Sequence, residues 1–188
     1  MSDAELREWA AEHLYYEAST LEAAARALKP RPKGPMESLF LQSFVVNARC
    51  LDGFLWGGRG RRFPDDMFAP DFCEGGKWEA TRVDCPQAGL RAARDRWGRE
   101  VMHLTRNRIS GYGEQKQWNC GLVFSELATA LMKFTELAGE ETLDAKTRDY
   151  LRGLPGVVFS LGVVGGATGA ALTAGTAIFD PKIVAGGN

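Results

Sequence analysis

Cysteine and histidine are scarce in this chain of 188 residues, and neither is arranged for metal binding. The four cysteines, Cys50, Cys73, Cys85 and Cys120, form no Cys-x-x-Cys pair, and the two histidines are His13 and His103. Structural zinc needs four Cys or His ligands at short, regular spacings, so no metal and no other cofactor is expected. Net charge is also nearly absent, at −1. A whole-protein basic field for nucleic acid is thereby excluded, and any such site has to be local. The opening stretch from Met1 to Leu14 carries charges throughout and does not read as a signal peptide. With unpaired thiols, a reducing, cytoplasmic setting is the expectation.

Long uncharged runs are missing with one exception. Residues 157–179 carry no charge and are long enough to cross a bilayer. Gly162 with Gly166, and Gly165 with Gly169, have the small-xxx-small spacing of packed membrane helices. Glycine and threonine dilute the hydrophobicity, however, and no basic cluster or aromatic belt flanks the run. The segment 153–188 therefore reads as an apolar, Gly/Ala-rich tail of low complexity, appended to a helical domain over 1–152. Insertion of that tail, making a membrane-associated effector, is the lesser alternative.

What is present is helical periodicity. Residues 3–28 repeat apolar side chains every three to four positions, through Leu6, Trp9, Ala10, His13, Leu14, Glu17, Leu21, Ala24 and Leu28. Ser2 or Asp3 can cap this helix, and the prolines from Pro30 to Pro35 stop it. Residues 36–56 form a second helix, apolar on most sides and so placed at the centre of a bundle, with Asn47, Arg49 and Asp52 as a polar strip. Arg49 and Asp52 are expected to pair with each other or across to the loop. A long connection over 57–86 is unusual for a compact domain, and its aromatics should pin it to the bundle. In that loop Asp65, Asp66 and Asp71 suit capping or hydrogen bonding in an ordered loop better than cation binding. Arg59, Arg61 and Arg62 read as a solvated basic loop. A third helix spans 86–109, a fourth 114–138, and a short charged fifth 141–152. The fold class is all-α: a four- to five-helix bundle with a long loop between the second and third helices.

The third helix concentrates the positive charge. From Arg91 to Arg108 there are six arginines against two acids, Asp95 and Glu100, a local +4 in a chain of −1. Arg96, Arg99, His103 and Arg106 stand at i, i+3, i+7 and i+10, on one helical face. Histidine exchanges protons near neutral pH, and the planar fork of arginine matches a phosphate. Together they suit cleavage of a phosphodiester beside a 2′-hydroxyl, without metal. One histidine does not easily perform both proton transfers, which argues for a homodimer. A basic stripe is more often a plain solvated face, and this alternative stays open.

At these residues the sequence resembles the HEPN superfamily, whose mark is an Arg, four to six residues, and a His on a helix of an all-α bundle. Here Arg96 and His103 enclose six residues, and His103-Leu104-Thr105-Arg106-Asn107-Arg108 is similar to the HLTxxR run of a subgroup near abortive-infection proteins. His13-Leu14-Tyr15-Tyr16-Glu17, Ser43-Phe44, Ala48-Arg49 and Leu51 are similar as well, as are the DDxxAxDF-like loop from Asp65 to Phe72 and the placing of Trp118. The resemblance covers about residues 5–137 and leaves out the tail. It departs at Trp97-Gly98, where a polar side chain is usual. It implies a metal-independent ribonuclease of toxin or phage-defence type, with His103 and Arg96 catalytic and Arg99, Arg106 and Arg108 binding RNA. A homodimer, and an antitoxin or other regulatory protein as partner, are implied too. The alternative is a non-catalytic helical module that binds an acidic partner, a nucleotide or RNA.

Overall fold

A computed structural model describes residues 1–29, 35–57, 63, 65–97 and 118–162, with side chains as far as 156. The described chain is all-α. Its elements are α1 (Asp3–Trp9), a π-helical turn (Ala10–Leu14), α2 (Tyr15–Leu28), α3 (Pro35–Trp56), a 3₁₀ turn (Ala69–Phe72), α4 (Lys77–Thr81), a second 3₁₀ turn (Arg82–Asp84), α5 (Ala88–Arg96), α6 (Cys120–Leu137) and α7 (Ala145–Gly162). Among the described residues there is no strand, and Cys73 and Ala138 form an isolated antiparallel bridge.

The first helix expected over 3–28 runs unbroken through α1, the π turn and α2, and Ser2 caps it through a capping box with Glu5. Its π turn has a reason in the sequence. Leu6, Ala10, Leu14 and Ala18 are buried at intervals of four. On a regular α-helix each such step drifts by about 40°. A wider turn takes up that drift and keeps the stripe on one side. It also leaves His13, expected on the inner face, exposed and in ring contact with Trp9 at 5.6 Å.

The central helix is α6, not the one over 36–56. α6 buries Val123, Phe124, Leu127, Ala128, Ala130, Leu131 and Phe134, and meets α2, α3, α4, α5 and α7. α3 packs along α2 but leaves Leu39 57% and Val46 40% exposed. Apolar character on every side is needed for a central helix, but neighbours on every side decide the matter. The long connection is pinned by aromatics as expected. Phe72 and Trp78 are buried against Phe54 and Phe134 at centroid distances of 5.7–6.0 Å. It also holds α4, which its short apolar pattern did not announce. Trp78 Nε1 donates to the carbonyl of Leu55 at 2.6 Å, and Arg82 donates to those of Trp56 and Gly57 at 3.2 and 3.0 Å. The last carbonyls of α3 are thereby satisfied from outside the helix. Asp66 and Asp71 accept from the backbone amides of Phe63 and Phe68, a loop hydrogen-bonding role as expected, and Asp71 thereby caps the 3₁₀ turn. No group of three or more metal-ligating side chains occurs among the described residues.

The fifth helix, expected over 141–152, starts at Ala145 and runs on to Gly162, with Leu151 and Leu154 buried. α7 lies against α6, and it touches α2 where the Tyr150 hydroxyl donates to Glu22. No helix among the described residues is long and apolar enough to cross a membrane. Of the uncharged run 157–179, residues beyond 162 lie outside the described residues.

Candidate functional site

The third helix was expected from 86 to 109 and is described as Ala88–Arg96. Arg99, His103, Arg106 and Arg108 lie outside the described residues, so Arg96 alone represents the expected stripe. The fourth helix begins at Cys120 rather than 114, because Asn119 caps it: its side chain accepts from the Leu122 amide at 3.0 Å.

α5 lies antiparallel to α6 and is fixed at three points. At its N-terminus the Gln87 side chain does not cap the helix, being held instead by Arg94 Nη1 at 3.0 Å. The cap comes from α6. Glu126, 3% exposed, accepts from the Gly89 amide at 3.0 Å and from the Leu90 amide at 2.8 Å, one on each carboxylate oxygen. A carboxylate there also meets the positive end of the helix dipole. In mid-helix Arg94 forms a bidentate pair with Asp52 of α3, at 2.9 Å (Nε–Oδ2) and 2.6 Å (Nη2–Oδ1), beside the Trp56 ring at 5.4 Å. Asp52 therefore pairs with α5, not with Arg49 or the loop: a fork across two helices satisfies both carboxylate oxygens in a partly buried place. At the C-terminus the Arg96 guanidinium sits over the Trp118 ring, 4.3 Å from its centroid.

Close approach of the two helices depends on Gly89. A Cβ there would stand 2.8 Å from Leu122 Cγ and 3.3 Å from Glu126 Oε2. Gly89→Val should lower stability by about 1–3 kcal/mol through overpacking. Urea unfolding monitored by circular dichroism measures this, and a variant of wild-type stability would show that α5 can shift freely.

The arginines of α5 thus divide by role. Arg94 is committed to the fold, Arg91 is exposed, and Arg96 is half-buried against an aromatic face. Trp118 is only 4% exposed while Arg96 keeps part of its surface in water, so the contact is worth about 1 kcal/mol. The ring contact is one of the interactions that hold the Arg96 guanidinium. Cys120 lies close by, fully buried, and burial pushes its thiol up to about 12 against the lowering effects of a backbone hydrogen bond and of Arg96. It stays a neutral thiol, unsuited to nucleophilic work.

Two residues of this arrangement were missed in the sequence. Glu126 had a signal, an acid within the buried face of the most apolar helix. Trp118 entered the sequence reading through its apolar character and its place in the resemblance, and nothing local linked it to Arg96. No family model, no curated protein and no solved structure matches this chain.

Proposed function

We propose that this is a HEPN-like protein that cleaves RNA without metal, as a cytoplasmic homodimer. The observation that supports this reading most is Arg96: it ends a helix docked at three points and leads into the segment that carries His103. An all-α fold of the expected kind supports it as well. In this mechanism His103 of one protomer takes the proton of the 2′-hydroxyl, whose oxygen attacks the adjacent phosphorus. The P–O5′ bond breaks, and the second copy of His103 protonates the departing 5′-oxygen. Arg96 stabilises the charge that builds on the phosphate oxygens. Arg99, Arg106 and Arg108 hold the flanking phosphates.

The test is cleavage of diverse RNAs in EDTA by wild type and by His103→Ala. Wild type should cut, and the variant should lose at least about a hundredfold in rate, the usual share of a general acid–base group. Equal rates would refute the mechanism. Gly98 favours a second reading, a non-catalytic module, because it replaces a hydrogen-bonding side chain next to Trp97. Salt-sensitive RNA binding by the wild type with no turnover would establish that module instead.

A further inference from the structure

We infer that two copies of this chain pair through the exposed face of α3, antiparallel, about a two-fold axis between Ser43 and Val46. Met36, Leu39, Ser43, Val46, Cys50 and Gly53 follow one another at alternate steps of three and four residues, the spacing of the a and d positions of a coiled coil. The core face of α3 is a different set, which includes Leu41, Phe44, Ala48, Leu51 and Leu55. In the outer set Met36 is 48%, Leu39 57% and Val46 40% exposed, and Cys50 and Gly53 are exposed too. A surface helix normally turns polar side chains outward. Here the exposed Gln42 and Arg49 only flank the apolar row. Gly53 is an independent observation. A glycine within a helix costs about 1 kcal/mol relative to alanine. Nothing inside the chain requires this one, since a Cβ there would meet no atom within 4 Å. A close approach from outside explains it.

Size decides how the second copy lies. With the axis between Ser43 and Val46, Met36 faces the partner's Gly53, Leu39 the partner's Cys50, and Ser43 the partner's Val46. Two-fold symmetry repeats each of these layers once. Every layer then sets a larger side chain against a smaller one, which fills an interface without voids. A parallel pair would stack Met36 on Met36 and Gly53 on Gly53, crowded at one end and hollow at the other. It would also bring the two copies of Arg49 to one level. In the antiparallel pair Arg49 faces the partner's Phe40, so the two guanidinium-bearing positions are about 14 Å apart along the helix. The functional reading calls for a homodimer on catalytic grounds. α3 argues for one on packing grounds, and either can fail alone.

The native Cys50 makes the register testable. In the antiparallel pair it lies opposite Leu39 of the partner and about 16 Å along the helix from the partner's Cys50, too far for a disulfide. Full-length wild type, Leu39→Cys, Leu39→Cys/Cys50→Ser and Val46→Lys are compared, each first shown to be folded by its melting curve. Oxidation with diamide should convert Leu39→Cys into a covalent dimer, with peptide mapping placing the bridge between positions 39 and 50. Wild type should form no Cys50–Cys50 bridge, and Leu39→Cys/Cys50→Ser should form none between its two copies of position 39. In sedimentation equilibrium at micromolar concentrations wild type should be a dimer. Val46→Lys places a charge on each side of the axis and should weaken that dimer at least about a hundredfold. A wild type that stays monomeric, its stripe left free or covered by the chain's own uncharged run, would overturn the inference. So would a Val46→Lys variant that dimerises as wild type does, which means another face is used. A Cys50–Cys50 bridge in wild type would overturn it in favour of a parallel pair. Dimerisation through α3 without RNA cleavage would instead overturn the functional reading alone.

Discussion

Arg148→Met is expected to cost about 3 kcal/mol, the loss of several charge-assisted hydrogen bonds less what water recovers. In a domain of this size that is a fall of about 6–12 °C in melting temperature. The reason lies at the C-terminus of α6. The last carbonyls of a helix have no partner within it and must find one elsewhere. Here Arg148 of α7 reaches across the turn. Its Nη1 donates to the carbonyls of Thr135 (2.7 Å) and Ala138 (3.2 Å), and its Nη2 to those of Gly139 (2.8 Å) and Leu143 (3.4 Å). One guanidinium thus closes the end of the central helix and holds the turn into α7. Methionine keeps much of the stem and its packing, but it donates nothing. Lysine should not rescue, since a single ammonium cannot span four carbonyls as a planar fork does. Thermal melts of wild type, Arg148→Met and Arg148→Lys test this, and a loss below about 1 kcal/mol in the methionine variant would mean that water replaces the guanidinium without penalty.

Glu126→Ala should be about as damaging, at roughly 3–4 kcal/mol. It strips both acceptors from the amides of Gly89 and Leu90, and it opens a void where the two helices are closest. Buried amides without partners cost about 1–3 kcal/mol each. Glu126→Gln is the sharper probe. It preserves volume but turns one acceptor into a donor facing an amide N–H, so a loss of about 2 kcal/mol is expected from that clash alone. Chemical denaturation measures both. A glutamine variant as stable as wild type would show that the carboxylate is not needed as the cap of α5.

Much of the fold was legible because helices are local objects. Apolar spacing over 3–28 and 36–56 and the prolines between them marked the first two long helices nearly to the residue. The start of α6 was less legible: Asn119 is a strong cap, but Trp118 continues the apolar pattern ahead of it and drew the boundary toward 114. The end of α7 was less legible: the helix was expected to stop at 152, yet Gly153, Pro155 and Gly156 lie within it. At the candidate site the spacing from Arg96 to His103 was visible at once. The division of labour among the arginines was not, because Arg94 and Arg96 look alike until their partners are known.

By itself, then, the sequence determined the all-α class, the aromatic anchoring of the long connection and the concentration of positive charge between Arg91 and Arg108. Each depends on neighbours within a turn or two, or on composition. Only the tertiary structure decided that α6 is central, that Asp52 meets Arg94, that Glu126 caps α5 and that Trp118 carries Arg96. These pairs are separated by 22 to 42 positions. Their meeting depends on how each helix is rotated about its axis and how closely two backbones approach. Those quantities are set jointly by all the packed side chains, and no single stretch of sequence encodes them.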